Sequence, residues 1–269
     1  MTSQNMRTYL LDLPVDAGAT VADIAEAIGR KDACTTASNI NPGAWATQKR
    51  KPEYVQHLKQ MTYVMADGIG VSLVYRLLTG RNCPRISFDM TSMAPPFFER
   101  LERTKGSVAF VGSTPGTTQR FADKLLQSYP NINVVLTDDG YGACEPKIQK
   151  IVTLMPDAVI VGMGVPLQEA FLVKLAAAGY KGCAVTCGGF FDQYLQAETY
   201  YPRWIDQYNL RFAYRLYKEP QRLWRRYLID YQVFIGLALR ALIAKWLFRK
   251  SQDPVAKDSS DNGANRTNA

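Results

Sequence analysis

One histidine, His57, serves the entire 269-residue chain. It lies in a polar helical stretch, Pro52 to Gln60, where a solvated surface position is expected. Ser-His-Asp and Cys-His catalysis are thereby excluded unless His57 is itself the base. Cysteine is also sparse: Cys34, Cys83, Cys144, Cys183 and Cys187 are odd in number and widely spaced. Three residues separate Cys183 from Cys187, and no second pair completes a zinc site. Buried free thiols in a reducing cytosol are the expectation. The chain has no D-x-D motif, no G-x-G-x-x-G fingerprint and no Walker motif. That removes the usual sequence marks of a metal-held sugar nucleotide, a Rossmann dinucleotide and a P-loop triphosphate. The N-terminus shows no basic segment followed by an apolar core, so a signal peptide is not expected. Internal repeats are absent as well.

What is present suits a folded enzyme or binding domain. The 47% hydrophobic and 21% charged content is ordinary for a globular chain, and the length allows one large domain or one domain with an appendage. A formal net charge of +8 favours an anionic partner: nucleotide, nucleic acid or an acidic membrane face. Early segments read as a strand at Thr8 to Leu11, a helix at Val21 to Ile28 and a strand at Ala33 to Ser38. A turn over Asn39 to Gly43 and a helix follow. Residues 80–96 read as irregular, and Phe97 to Arg103 as a helix. From Ser107 onward strands and helices alternate. The strands are Ser107 to Val111, Ile132 to Leu136, Ala158 to Val161 and Cys183 to Thr186. The helices are Thr117 to Tyr129, Glu145 to Leu154 and Leu167 to Ala178. Short crossovers of this kind predict an α/β, Rossmann-like, mostly parallel sheet with helices on both faces. Residues 1–205 are expected to form this domain.

The stretch Met65-Ala66-Asp67-Gly68-Ile69-Gly70 joins a buried strand, Thr62 to Ala66, to a helix from Val71 to Leu78. Asp67 then stands at the carboxyl edge of the sheet, where ligands of open α/β folds bind, beside glycines that permit close approach. Two roles are open to it: a helix N-cap, or a general base facing a substrate. Glycine-rich turns that open helices, Gly112 to Gly116 and Gly162 to Pro166, lie on the same predicted edge. Each suits a phosphate cradle or a plain tight turn.

Beyond residue 205 the composition changes. Arg211, Arg215, Lys218, Arg222, Arg225 and Arg226 are interleaved with Tyr214, Tyr217, Trp224 and Tyr227. The apolar stretch Tyr227 to Phe248 is about long enough to span a bilayer. Asp230, Arg240 and Lys245 fall inside it, however, at a cost of at least about 2.5 kcal/mol each in a membrane core. Residues 206–250 are therefore expected to form a basic amphipathic appendage, with residues 211–250 on an anionic membrane surface. The other reading is a helix docked on its own domain or on a second subunit of a homo-oligomer. Arg215, Arg222 and Arg225 share one helix face, suited either to clamping a pyrophosphate or to a solvated stripe. Residues 251–269 are polar and expected to be disordered. The positive charge sits beside apolar residues, which favours lipid over nucleic acid.

Several segments, taken in order, resemble the WecG/TagA/CpsF family of bacterial glycosyltransferases. They are Asn41-Pro42, Ala66-Asp67-Gly68-Ile69-Gly70, Phe110-Val111-Gly112-Ser113 with Pro115-Gly116, and Pro156-Asp157. Next come Gly162-Met163-Gly164-Val165-Pro166-Leu167-Gln168-Glu169 and Phe191-Asp192. The last is Arg215-Leu216 with Glu219-Pro220 and Arg222. The resemblance covers about residues 33–230. It implies a peripheral enzyme at the cytoplasmic face of the bacterial inner membrane. Such an enzyme moves a sugar from a UDP-sugar to a polyprenyl-diphosphate-linked saccharide, with inversion and without metal or other cofactor. It also implies Asp67 as base, Gln168 as a pocket residue, and Arg215, Arg222 and Arg225 on the nucleotide diphosphate. The chain departs from the family pattern in three places. Asn39 stands where Thr is usual. The R-V-x-G-x-D segment is reduced to Arg85-Ile86-Ser87-Phe88-Asp89. Gly188-Gly189 and Tyr200-Tyr201-Pro202 flank Asp192 in place of the common pattern. These departures lean toward the exopolysaccharide branch that adds glucose, over those adding N-acetylmannosamine or its uronic acid.

The site expected on this basis has Asp67 and Asn39 in the catalytic role. Substrate contacts are expected from Asn41, Gly68, Gly70, Arg85, Asp89, Gly112, Pro115, Gly116, Gly162, Gly164, Pro166, Gln168, Asp192 and the three arginines. Two rivals stand beside it. One is a soluble nucleotide-dependent oxidoreductase or epimerase, against which the missing fingerprint counts. The other is a non-catalytic membrane adaptor, which would have no chemistry to lose with its arm.

Overall fold

The computed structural model describes residues 7–196, Tyr214, Tyr217 and 224–251. The chain enters through a two-stranded antiparallel hairpin, β1 (Thr8–Leu10) and β2 (Leu13–Val15). Its two-residue turn has positive φ at Leu11 and Asp12, the geometry of the primed turns that match strand twist. Asp16 then pins the hairpin to the domain. Its backbone N–H donates to the Val64 carbonyl, and its carboxylate accepts from the Val64 N–H at 2.7 Å and from Arg7 at 2.7 and 3.1 Å.

After α1 (Val21–Glu26), opened by a Thr20–Asp23 capping box, come β3 (Cys34–Ile40), α2 (Ala44–Arg50), α3 (Glu53–Gln60), β4 (Tyr63–Ala66) and α4 (Ile69–Thr79). An irregular segment leads to α5 (Ala94–Thr104). The chain then alternates through β5 (Ser107–Gly112), α6 (Thr117–Ser128), β6 (Asn133–Asp138), α7 (Cys144–Leu154), β7 (Ala158–Gly162), α8 (Leu167–Ala177), β8 (Gly182–Thr186) and α9 (Phe190–Gln196). A π-turn, Arg226–Asp230, opens the last helix, α10 (Tyr231–Ser251).

Six strands form one parallel sheet in the order β4-β3-β8-β7-β5-β6. The expected α/β architecture is therefore the observed one, and its physical basis is visible strand by strand. Alternate residues point to opposite faces. Ala37, Met65, Phe110, Ile160 and Val185 enter one hydrophobic core, and Ile40, Val64, Val111, Val161 and Ala184 the other. Strands β7 and β8 are buried at every position, as a sheet covered on both faces requires. One core is an aromatic cluster of Phe88, Phe97, Phe98, Phe121, Phe190 and Phe191, with ring centroids mostly 5–6 Å apart. It holds Phe88, and with it the irregular segment, against the sheet.

Several expected boundaries shift. β3 runs to Ile40, because Asn39 and Ile40 pair with Met65 and Ala66 of β4, so Asn39 belongs to a strand and not to a turn. α5 begins three residues before Phe97, with its prolines in the first turn, where no N–H is needed. His57 is half-buried on α3, and its Nδ1 is enclosed without a hydrogen-bond partner. All five cysteines are free thiols, three of them buried.

Helix α10 lies across α2 and α4. Phe234 packs on Trp45 with ring centroids 4.5 Å apart, and Trp45 is only 1% exposed. Asp230 pairs with Arg50 at 2.6 Å. Lys245 donates to the Leu77 and Leu78 carbonyls, both at 2.8 Å, and so satisfies the open C-terminal end of α4. Two of the three charges inside the apolar stretch are thus engaged within the protein. Apolar side chains lie on both the docked and the exposed sides of α10: Phe234 and Ala238 are buried, while Ile235, Leu239 and Ile243 are exposed. Residues Leu228–Phe248 are long and apolar enough to cross a membrane, with a mean hydropathy of 1.4.

Candidate active site

A cleft of about 820 Å³ opens at the carboxyl ends of β3, β4, β7 and β8, between the sheet and α10. Asp67 sits on its rim as the first residue after β4. Its backbone N–H donates to the Ile40 carbonyl at 2.8 Å, which extends the β3–β4 ladder by one residue. The chain then turns at Gly68, whose φ of +98° suits glycine. Gly68 is the N-cap of α4 and makes no side-chain capping bond. Asp67 thus stands one residue before the N-cap position. Its side chain is 33% exposed, faces the cleft, and stands beside the positive end of an 11-residue helix.

Arg85 approaches Asp67 from the irregular segment, Nε to Oδ1 at 3.8 Å. It is carried there because Arg85 bridges with Ala66 and the Ile86 N–H donates to the Ala66 carbonyl at 2.9 Å. The same guanidinium donates to Ser87 Oγ at 2.6 Å and to Asp89 Oδ2 at 3.1 Å, and Ser87 Oγ donates to Asp89 at 2.6 Å. The spacing from Arg85 to Asp89 thus forms a closed ring of polar contacts that aims one cation at the rim carboxylate. Arg85 is held between two carboxylates, Asp67 and Asp89.

Asn39 and Gln168 line the inner part of the cleft. Asn39 Nδ2 donates to the Ile86 carbonyl at 2.6 Å. Gln168 Nε2 donates to Glu169 Oε1 at 3.0 Å, and that oxygen also accepts from Ser38 Oγ at 2.9 Å. Thr186 Oγ1 donates to Ser38 in turn. Glu169 is 0% exposed, and burial pushes its carboxyl up to about 7 against the downward pull of the Gln168 and Ser38 hydrogen bonds. Asn41 plays a turn role: its Oδ1 accepts the Gly43 N–H at 3.0 Å, swinging the chain from β3 into α2. Asp192, on the first turn of α9, accepts from Ser113 Oγ at 3.0 and 2.9 Å. Cys187 also lines the cleft, and burial pushes its thiol up, so it is not poised as a nucleophile.

Of the residues expected from sequence, the cleft brings together Asn39, Asn41, Asp67, Gly68, Gly70, Arg85, Asp89, Gly162, Gly164, Gln168 and Asp192. Gly112, Pro115, Gly116 and Pro166 are not among its lining. At Gly112, whose φ is +141°, a Cβ would fall within 3.0 Å of the Gly162 backbone. This glycine serves the close approach of β5 and β7. Arg225 is exposed beside the Trp224 ring and is not among the described residues that line the cleft. Arg215 and Arg222 lie outside the described residues. Sequence reading misses Arg50, Thr186, Asp230 and Phe234, which also line the cleft. Arg50 and Asp230 are separated by 180 positions in sequence, so no local pattern could pair them.

Comparison with known proteins agrees with this geometry. The model of the glycosyl transferase WecG/TagA/CpsF family matches residues 8–252. The chain is 30% identical over 202 residues to a UDP-Gal:α-D-GlcNAc-diphosphoundecaprenol β-1,4-galactosyltransferase of Shigella boydii, covering 73% of this chain and 82% of that one. It is 29% identical over 196 residues to an N-acetylglucosaminyldiphosphoundecaprenol N-acetyl-β-D-mannosaminyltransferase of Bacillus subtilis, covering 71% and 74%. A Staphylococcus aureus protein of the latter name is 24% identical over 181 residues, covering 64% and 67%. These matches remove the oxidoreductase and adaptor alternatives. With a parallel sheet, an aspartate at its carboxyl edge and similarity along most of its length, the chain belongs to the WecG/TagA/CpsF family and is a glycosyltransferase.

Proposed function

We propose that the protein transfers a hexose from a UDP-sugar to a sugar hydroxyl on a polyprenyl-diphosphate-linked saccharide, with inversion, at the cytoplasmic face of the bacterial inner membrane. The observation that carries this is the placement of Asp67: a carboxylate on the rim of a deep cleft, ordered by Arg85 and by the end of β4. Asp67 accepts the proton of the acceptor hydroxyl as its oxygen bonds to the anomeric carbon. The bond from that carbon to the β-phosphate oxygen breaks, and UDP departs with the electron pair. Backbone N–H groups at the start of α4 supply fixed positive potential toward the departing diphosphate. Arg215, Arg222 and Arg225 of the appendage are assigned to the same charge. The relatives named above act, by their names, on GlcNAc-diphosphoundecaprenol, which supports a lipid-diphosphate acceptor here. UDP-glucose and UDP-galactose are the favoured donors, in view of the Asn39 departure and of the galactosyl relative.

Membrane association is supported by two exposed apolar stripes on helices in mutual contact. Ile69, Leu73 and Leu77 of α4 recur at every fourth position, as do Ile235, Leu239, Ile243 and Leu247 of α10. Ile69 and Ile235 also line the cleft mouth, so a lipid-linked acceptor held in the bilayer surface would find the rim carboxylate nearby. A helix in the headgroup region uses such a face.

The test is UDP release across a panel of UDP-sugars with synthetic GlcNAc-diphosphate-lipid acceptors. Turnover with a hexose donor is expected, and Asp67→Asn should lose about 10²–10⁴-fold. Retention of more than about a tenth of the rate in a folded Asp67→Asn protein would remove the base role.

A further inference from the structure

We propose that Glu169 is a positioning residue that locks the Gln168 carboxamide with its oxygen toward the cleft, so that the subsite shared by Gln168 and Asn39 takes a hydroxyl donor and rejects a phosphate oxygen. The inference rests on the transfer reading above and assigns one part of the cleft to a sugar ring.

It follows from hydrogen-bond polarity. A carboxamide carries two donors on nitrogen and acceptor lone pairs on oxygen, and the partner of one branch decides where the other points. Gln168 has Glu169 Oε1 as its partner, an oxygen already accepting from Ser38 Oγ. An oxygen holding two donors in this way accepts and does not donate. Only the NH₂ group of Gln168 can therefore face it, and Gln168 Oε1 is left buried with no partner in the protein. Asn39 repeats the pattern independently: its Nδ2 meets the Ile86 backbone carbonyl, a pure acceptor, and its Oδ1 is also buried and unpartnered.

Asn39 and Gln168 line the same cleft, and the amide oxygen of each is buried and unpartnered. Each incurs a desolvation penalty until a donor arrives. Sugar hydroxyls donate. Diphosphate oxygens only accept, and would face these two oxygens in repulsion. The diphosphate must then lie elsewhere, toward the N-terminus of α4 and Arg85, which separates the sugar from its leaving group within one cleft. A proton taken up by Glu169 has Oε2, the oxygen with no partner, as a place to reside, which leaves Oε1 accepting.

The discriminating variant is Glu169→Gln, which keeps the shape and can still accept, but can also donate. Its amide then permits Gln168 in either orientation, and the polarity of the subsite is lost. Ser38→Ala is the control. It removes the other bond to Glu169 Oε1 and disturbs the buried network, yet leaves a carboxyl group facing Gln168. Each protein is assayed for UDP release with donors and acceptors in which single hydroxyls are replaced by fluorine, which keeps size but cannot donate.

In the unaltered enzyme one hydroxyl position should cost about tenfold in kcat/KM on fluorination, carried mainly by KM. Glu169→Gln should reduce that penalty to under about threefold, while Ser38→Ala keeps it whole. A purely structural role for Glu169 would move both variants alike, and that result overturns the inference. So does a Glu169→Gln enzyme that keeps the tenfold penalty, or an unaltered enzyme indifferent to every fluorination while transfer proceeds. Absence of transfer from every UDP-sugar would instead overturn the transfer reading, and this assignment with it.

Discussion

Glu169 makes a second prediction that needs no substrate, because its ionisation is coupled to folding. In the unfolded chain its carboxyl titrates near the ordinary 4.5, whereas in the folded protein burial raises this to about 7. Between these two pH values the native state holds a proton that the unfolded state has released. Stability falls with pH wherever the native state binds more protons. The contribution is therefore fully present below pH 4.5 and is lost as pH rises toward 7. At 1.36 kcal/mol per pKa unit, the loss comes to about 3 kcal/mol. Glu169→Gln has the same shape and does not titrate, so its stability relative to the parent should climb by about 3 kcal/mol between pH 4.5 and 7.5. Urea unfolding at four pH values measures this, provided that the slope of free energy on urea is common to both proteins. Asp157 is held below the usual carboxylate range, where hydrogen bonds from Ser107 and Lys31 outweigh its burial. It acts with the opposite sign, losing stability as pH falls, and it cancels from the difference between the two proteins. A difference that stays constant with pH would refute the raised titration of the buried Glu169 carboxyl.

Two further expectations concern packing. Phe234→Ala removes the ring that covers Trp45, and should release α10 from α2 by about 3 kcal/mol. Amide protection over residues 231–245 should drop about a hundredfold and vesicle flotation should weaken, while unchanged protection would show that Phe234 does not hold the helix. Gly112→Ala introduces a methyl group against the Gly162 backbone at a φ of +141°. It should cost about 2–4 kcal/mol in urea unfolding, and a variant as stable as the parent would show that the close approach of β5 and β7 does not require glycine.

The parallel sheet is legible in the sequence because its cause is local. Strands such as Ala158–Gly162 must be apolar on both faces, and the helices between them repeat apolar residues at helical spacing, so neither signal needs knowledge of distant partners. The hairpin β1–β2 is only half legible for an equally local reason: its turn residues, Leu11 and Asp12, hold positive φ without glycine or asparagine to announce it. Helix α9 escapes sequence reading because Gly188-Gly189 draws attention as the end of a strand, and the seven residues of the helix are too few for a periodic signal. Asn39 reads as part of a turn because asparagine, proline and glycine cluster there. Pairing with β4, a tertiary effect, keeps it extended for one step further.

The site divides along the same line. Asp67 is legible because a strand, an aspartate, a glycine and a helix in immediate succession place a carboxylate at a sheet edge by geometry alone. The turn at Gly112 carries the same local pattern and yet lies outside the cleft lining. What separates the two is the neighbour each glycine meets, the Gly162 backbone at Gly112 and the Pro42 side chain of the cleft wall at Gly68, and neighbours across a sheet are not written in local sequence. The groups that give the cleft its polarity are more distant still. Ser38 reaches Glu169 across 131 positions, and Asn39 reaches Ile86 across 47. Each of these contacts holds a side chain by one branch and leaves the other free, and this is why the chemistry of the subsite emerges only with the fold. A sequence identifies which residues can donate or accept; the fold determines which of those capacities is already spent, and what remains unspent in this cleft is a pair of acceptors.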